Sequence, residues 1–169
     1  MNAVDDFEQY VAGRQRALLR LAWVLTGDWA LAEDLVQTAL VRAWPHWQRL
    51  EGGAGADAYV RRIMVNKSLD WRHRRWTGEV PTAELPDVVA TGAGDAADVR
   101  QTLLTAVRGL PPRQRAIVAL RFLDDLSEAQ TAAVLGCSVG TVKNSAAKAL
   151  AALRRHPALA DFELEVNPT

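Results

Sequence analysis

The sequence predicts an all-α protein of two small helical domains joined by a flexible linker. Three observations predict it. Apolar residues recur at three- and four-residue steps through almost every segment, the spacing that turns one stripe of a helix inward. No stretch shows the alternation or β-branched richness of a strand. And residues 77–97, TGEVPTAELPDVVATGAGDAA, hold two prolines and three glycines with no sustained period, so they separate a front helical block from a rear one.

In the first block, 1–76, Phe7, Tyr10, Val11, Leu18, Leu21, Ala22 and Leu25 share one helical face, and Gly27 ends that helix. Asp28 caps the next, whose inner stripe is Leu31, Leu35, Ala39 and Leu40, and Pro45 closes it. A Gly-rich loop, LEGGAGAD (50–57), is expected to follow. Helical spacing then resumes through Tyr59, Ile63, Met64 and Leu69 to Trp76. The second block, 98–156, opens with DVRQTLLTAVRGL, and a helix-initiating PPRQ leads into RAIVALRFLDD. Two further helices reach Arg155. The acidic tail 157–169 is expected to be disordered or docked locally.

Residues 127–155 have the layout of a helix-turn-helix. Ser127 and Gln130 form a Ser-x-x-Gln capping box, Ala132 is small where a second helix must cross, and Gly136 supplies the turn. Ser138 caps the second helix, on which Val142, Ala146, Ala149 or Leu150, and Leu153 face inward. Thr141, Lys143, Asn144, Ala147 and Lys148 are then left outward near the end that enters a major groove. Lys neutralises phosphate or reaches guanine, and Asn reads adenine with two hydrogen bonds. The competing reading is an ordinary helical hairpin with a solvated face. Cys137, the sole cysteine, reads as a buried small hydrophobe in the turn.

Twenty basic and twenty acidic residues cancel over 169 positions, but their distribution is uneven. Residues 1–76 hold 11 basic and 9 acidic groups, 77–100 hold 1 and 5, and 101–156 hold 8 and 3. Two mildly basic blocks thus flank an acidic connector, and the local field governs binding more than the sum. A lone cysteine excludes a disulfide framework and suits a reducing cytoplasm. No segment is apolar enough to span a bilayer. His46, His73 and His156 are scattered, and no Ser/His/Asp grouping, phosphate loop or facing carboxylate pair stands out, so no enzyme and no cofactor are expected.

The segment YVRRIMVNKSLDWRHRRW (59–76) carries six Lys/Arg against one Asp, with Tyr59, Trp71 and Trp76 between them. Charges that track a backbone and rings that accept unstacked bases suit an opened nucleic-acid strand. A solvated cationic helix with aromatics in the core reads equally well, and Trp71 in particular reads as packing. Asn66 is the more pointed residue, an amide placed to bond a base edge.

Taken in order, AEDLVQTALVRAW, YVRRIMVNKSLDWRHRR, LPPRQRAIVALRFLDDLS and LGCSVGTVK resemble the extracytoplasmic-function group (group IV) of the sigma-70 family, and within it the SigE-like actinobacterial branch. The resemblance implies a front domain (1–76) that grips the clamp helices of core RNA polymerase and melts the −10 element. It implies a rear helix-turn-helix domain (98–156) that holds the −35 element and the polymerase flap, and an anti-sigma factor as a further partner. By position, Asp34, Gln37 and Arg42 would contact polymerase. EGGAGAD would pocket a flipped −10 base, and Arg62, Ile63, Asn66, Lys67 and Asp70 would line the opened strand. Thr141, Lys143, Asn144, Ala147 and Lys148 would face the −35 groove. The chain departs from the family at Thr38, Leu40, Ala56, Thr131, Ala146 and Ala147.

Two rivals stay open at this level: a stand-alone helix-turn-helix regulator, and a sigma mimic that binds an anti-sigma factor without touching DNA. Arg61, Arg62, Lys67, Lys143 and Lys148 weigh against the mimic. The linker averages about 25 Å end to end as a coil, whereas elements 20–25 base pairs apart lie about 70–85 Å from each other. With a linker this polar, the two blocks are expected to pack compactly only when a partner clamps them.

Overall fold

The computed structural model describes residues 2–50, 52–76 and 95–159, with backbone alone at 72–76 and 95–97. The expected linker therefore lies, except for its last three residues, outside the described residues, as does most of the acidic tail. Helix α1 spans Ala3–Thr26. It starts at Asn2, whose side-chain oxygen accepts from the Val4 and Asp5 amides at 2.8 and 2.9 Å, and Asp5 and Asp6 in its first turn suit the positive helix end. It stops at Gly27, where φ is 74°, a backbone angle that favours glycine. Asp28 caps α2 (Trp29–Ala43) by accepting from the Leu31 amide at 2.9 Å. Beyond it, a 3₁₀ segment over Trp44–Leu50 takes the chain through Pro45, and Trp47 is buried edge-on against Phe7.

Helix α3 runs Gly53–Trp76, which corrects the expected loop at 50–57. Gly52 and Gly53 make the turn at positive φ (66° and 54°). Inside the first helical turn, Gly55 is needed for a different reason: a Cβ there would stand 2.7 Å from the Leu50 carbonyl. Glycines that read as flexibility are thus a tight turn and a close approach. Ala56, fully buried, already faces the core.

The second block continues with α4 (Asp95–Arg108) and α5 (Pro112–Val118). The latter widens over Ala119–Leu123 into a π-type turn, where the Asp124 amide donates to the Ala119 carbonyl at 3.1 Å. Helices α6 (Glu128–Leu135) and α7 (Val139–Arg154) form the helix-turn-helix, and a short 3₁₀ turn at Pro157–Leu159 buries Leu159.

Leu21, Leu35, Val60, Met64 and Val65 are sealed among α1, α2 and α3. The same apolar cluster continues without a break into Ala106, Leu110, Val118, Leu120 and Leu153. The two blocks therefore pack on each other in the chain by itself, α1 against α4 and α5, and α3 against α5 and α6. That departs from the expectation that a partner must clamp them. Linker polarity does not decide the packing; apolar faces on α1 and α3, which the first block leaves open, do.

Candidate nucleic-acid and polymerase interface

On α3, positions 62, 66 and 70 are spaced by one helical turn and all three side chains are exposed, so Arg62, Asn66 and Asp70 make a continuous polar ridge. Lys67 beside it is half-buried. Ile63 is half-buried too and packs against the main core, so its apolar body anchors the ridge from beneath. Met64, Val65 and Ser68 are buried on the opposite side, where the Ser68 hydroxyl donates to the Val65 carbonyl at 2.8 Å. Trp71 is half-buried against the core, in line with a packing role.

Arg61 does not belong to the exposed ridge. It is 8% exposed, and its Nε donates to Asp124 Oδ2 at 2.8 Å, an ion pair between the two blocks. Asp57 lies 3.8 Å away on the preceding turn but is held more closely by Arg14, through contacts of 2.9 and 2.6 Å. Burial, with Asp57 beside it, pushes the hydroxyl of neighbouring Tyr10 well above the usual range for tyrosine. Of this set, the Asp57–Arg61 spacing of four is visible in the sequence, whereas Asp124 is 63 residues away and carries no local sign of the pairing.

A second joint ties the blocks at the α1–α2 corner. Arg108, at the end of α4, donates to the Gly27 carbonyl and lies over the Trp23 ring at 5.2 Å, which stacks on Trp29. Desolvation lowers the Arg108 pKa from its ordinary value, with the charge of Asp28 opposing. Any side chain at Gly27 would collide with this guanidinium, since a Cβ would sit 2.6 Å from it. Arg115, also buried, donates to the carbonyls of Arg108 and Leu110 and so closes the C-terminal end of α4.

On α2, Asp34, Gln37 and Arg42 are exposed. The sequence reasoning missed that Val41 is 71% exposed and Trp44 43% exposed. Val41 falls on the ridge of Asp34 and Gln37 at helical spacing, which is where the sign lay. Thr38 and Leu40 are half-buried, Leu40 against the core.

The helix-turn-helix matches its sequence reading closely. Ser127 Oγ accepts from the Gln130 amide at 3.0 Å while the Gln130 side chain accepts from the Ser127 amide at 2.9 Å. Gly136 turns at φ 65°, and Ser138 caps α7 through the Thr141 amide at 3.1 Å. Val142, Ala149 and Leu153 are buried, with Ala146 and Leu150 half-buried. Lys143, Asn144, Ala147 and Lys148 are exposed together on the outer face. Thr141 is turned back, its hydroxyl 2.9 Å from that of Ser138, and Lys143 has Glu128 at 3.7 Å. Behind the N-terminal half of this face lies a small cluster of Ile117, Ala132 and Val142, with Leu135, Cys137 and Ala146 packed on it, while Ala149 and Leu153 join the main core. Thr131 is fully buried and its hydroxyl has no hydrogen-bond partner among the described residues.

Among the described residues no group of three or more His, Cys, Asp or Glu is placed to hold a metal, and no helix is long and apolar enough to cross a membrane.

Comparison with known proteins matches both halves. Residues 11–77 fit the family model for sigma-70 region 2, and residues 100–153 that for sigma-70 region 4. The RNA polymerase sigma-E factor of Streptomyces coelicolor is 42% identical, over 96% of this chain and 92% of that protein. The ECF RNA polymerase sigma factor SigL of Mycobacterium tuberculosis is 33% identical over 81% of this chain and 80% of its own length. Among solved structures, the sigma factor RpoE from Bartonella quintana, in complex with the anti-sigma factor NepR, superposes with a TM-score of 0.76. It is 25% identical and the match covers 94% of this chain and 99% of that one.

Proposed function

This chain belongs to the extracytoplasmic-function group of the sigma-70 family, and from that premise we propose how its faces divide the work of promoter-specific initiation. It binds core RNA polymerase, directs it to promoters and helps to open the DNA. The ridge of α2, Asp34 and Gln37 with Arg42 and the open apolar pair Val41 and Trp44, docks on the clamp helices. The exposed ridge of α3, Arg62, Asn66 and Asp70 with Lys67 and Ile63, receives the opened −10 strand. The outer face of α7, Lys143, Asn144, Ala147 and Lys148 with Thr141 at its edge, enters the −35 major groove, while the rear half also meets the flap. The chain contributes no bond-making chemistry of its own and acts in the cytoplasm.

The observation that carries this reading is the presence, on one chain, of two separate exposed polar faces on the two regions that the family models match. A stand-alone helix-turn-helix regulator has use for α7 but none for the α3 ridge or for a valine 71% exposed on α2. The structural likeness to a sigma factor crystallised with an anti-sigma factor supports such a protein as the regulatory partner.

Run-off transcription with purified bacterial core polymerase, on fragmented DNA of the parent genome, tests the assignment. Discrete start sites should require the chain. Asn66→Ala should abolish strand opening with duplex binding kept, and Lys143→Ala should weaken −35 binding by about 1–3 kcal/mol if it contacts a base. Stable binding of the free chain to duplex DNA, with no effect on polymerase, would reject the reading in favour of a stand-alone regulator.

A further inference from the structure

The first turn of α7 is the part of a recognition helix that meets base edges, and its polar side chains are already engaged within the chain. Ser138 Oγ accepts from the Thr141 amide at 3.1 Å, and the two hydroxyls lie 2.9 Å apart. Thr141 is also half-buried. Gly140 has no side chain to offer, although a Cβ there would meet nothing closer than Ser138 Oγ at 3.8 Å. What remains is Val139, the first residue of the helix, which is 39% exposed.

Position and chemistry together set this valine apart from an ordinary exposed apolar residue. At steps of four it heads the row Val139, Lys143, Ala147, so it lies on the side of α7 that carries two residues of the outer face. The buried residues Val142, Ala149 and Leu153 follow a different row. An isopropyl group neither donates nor accepts a hydrogen bond, so against a base edge it gains only from apolar contact. In the major groove, unmodified base pairs present one methyl group, on C5 of thymine. Contact between the two removes apolar surface of both from water. Branching at Cβ already restricts the valine to few rotamers, so little side-chain freedom is lost. The hydrogen-bonding side chains of the face begin one turn later, at Lys143 and Asn144, about 6–8 Å along the axis. At about 3.4 Å per base pair, a base met by Val139 lies about two pairs from theirs.

We propose that Val139 is a specificity-determining residue of the −35 contact, reading a thymine by its C5-methyl group. The proposal rests on the assignment of α7 to the −35 major groove. The −35 element of this protein then contains a T·A pair chosen by apolar contact, beside the pairs chosen by hydrogen bonds.

The test uses the full chain assembled with core polymerase, on a promoter fragment recovered by run-off transcription. Each −35 thymine, on either strand, is replaced in turn by deoxyuridine, which keeps the hydrogen bonds of the pair and lacks only the methyl. At one position the wild type should lose roughly three- to fivefold in promoter affinity, the size expected of one buried methyl group. Val139→Ala should lose about as much on the thymine promoter, and deoxyuridine at that position should then cost it little more. The salt dependence of binding should match the wild type, because no phosphate contact is removed. Should Val139→Ala fail to fold by circular dichroism, Val139→Thr keeps the shape, exchanges one methyl for a hydroxyl and carries the same expectation. A −35 element without a T·A pair overturns the proposal. So does deoxyuridine that is silent at every thymine, or a deoxyuridine loss that persists undiminished in Val139→Ala. Lys143→Ala, measured in parallel, separates these failures from a failure of the premise. If it weakens binding, α7 stays the −35 face without help from Val139; if both substitutions are silent, the assignment of α7 falls as well.

Discussion

The two helices assigned to DNA are supported in different ways. Behind α3 stands the largest portion of the core, with Leu21, Leu35, Val60, Met64 and Val65 fully buried, and its buried Arg61 is held by a mostly buried ion pair. Behind the first half of α7 stand three small or branched side chains, Ile117, Ala132 and Val142, with Ala149 and Leu153 further along joining the main core, and Lys143 faces an acid in the open. The front face gains rigidity from burial, which acts over many residues. The rear face gains it from caps at Ser127 and Ser138 and from a glycine turn, which act over three or four. The difference suits the tasks assigned to them: splaying unstacked bases needs a surface that does not yield, while a helix entering a preformed groove needs only correct entry and orientation.

If that contrast is right, core truncation should separate the halves most sharply. Met64→Ala empties a fully buried site at the centre of the front bundle and should cost about 2–5 kcal/mol, measured by urea denaturation. Val142→Ala removes two methyl groups from a smaller cluster that can collapse, and its cost should fall below that of Met64→Ala. Equal losses would break the comparison, and would mean that the shared core makes the halves one cooperative unit.

Next in size is the alkaline limb of stability, a property of the front half alone. The Tyr10 hydroxyl is raised by burial first and by Asp57 second. A group with a raised pKa holds its proton more tightly when folded. Its contribution is therefore complete below the unfolded value of about 10 and is lost as pH rises beyond it, at up to about 1.4 kcal/mol per pH unit. Tyr10→Phe should flatten the fall in stability between about pH 10 and 11. A fall just as steep in the variant would place the alkaline weakness elsewhere.

Much of the molecule was legible in the sequence, and the pattern of what was not is physical. Each boundary set by a local rule reads correctly: Gly27 as a left-handed stop, Asp28 as a cap, the Ser127–Gln130 box, Gly136, and Ser138. The inward face of α7 follows from its spacing alone. Two kinds of feature escaped. At 50–57 the glycines point to a loop because glycine has no side chain to reveal a steric need. The need at Gly55 is the Leu50 carbonyl, visible only when both turns are built. The joints between halves escaped because they pair residues 63 and 81 positions apart, Arg61 with Asp124 and Gly27 with Arg108, and no periodicity carries information over such a span. Of the residues expected to face outward, Arg62, Asn66, Asp70, Lys143, Asn144, Ala147 and Lys148 are exposed, whereas Thr141 is turned back toward Ser138 and Arg61, grouped with the exposed cations, proves buried.

A smaller effect would sharpen the account of the rear core. Thr131 is fully buried, and its hydroxyl has no hydrogen-bond partner among the described residues. Thr131→Val keeps the shape and removes the unmet polar group, so it should stabilise the chain by about 1 kcal/mol, seen as a higher urea midpoint with an unchanged slope. A loss instead would mean that the hydroxyl has a partner in solution, and that the small core is better satisfied than its composition suggests.

The smallest expected change concerns the exposed pair on α7. Lys143 is 61% exposed and Glu128 32%, so the 3.7 Å contact between them is screened by water and salt. Glu128 also sits in the first turn of α6, where a negative charge is mildly favoured. Glu128→Gln should therefore cost no more than about 0.5 kcal/mol in stability. The same substitution removes a carboxylate that competes with DNA phosphate for Lys143, and should tighten −35 duplex binding by roughly twofold. Set beside the Arg61–Asp124 pair, it compares two acids that each hold a cation on a helix assigned to DNA and differ mainly in burial. A large effect of Glu128→Gln on stability or affinity would show that solvent exposure does not make this pair weak.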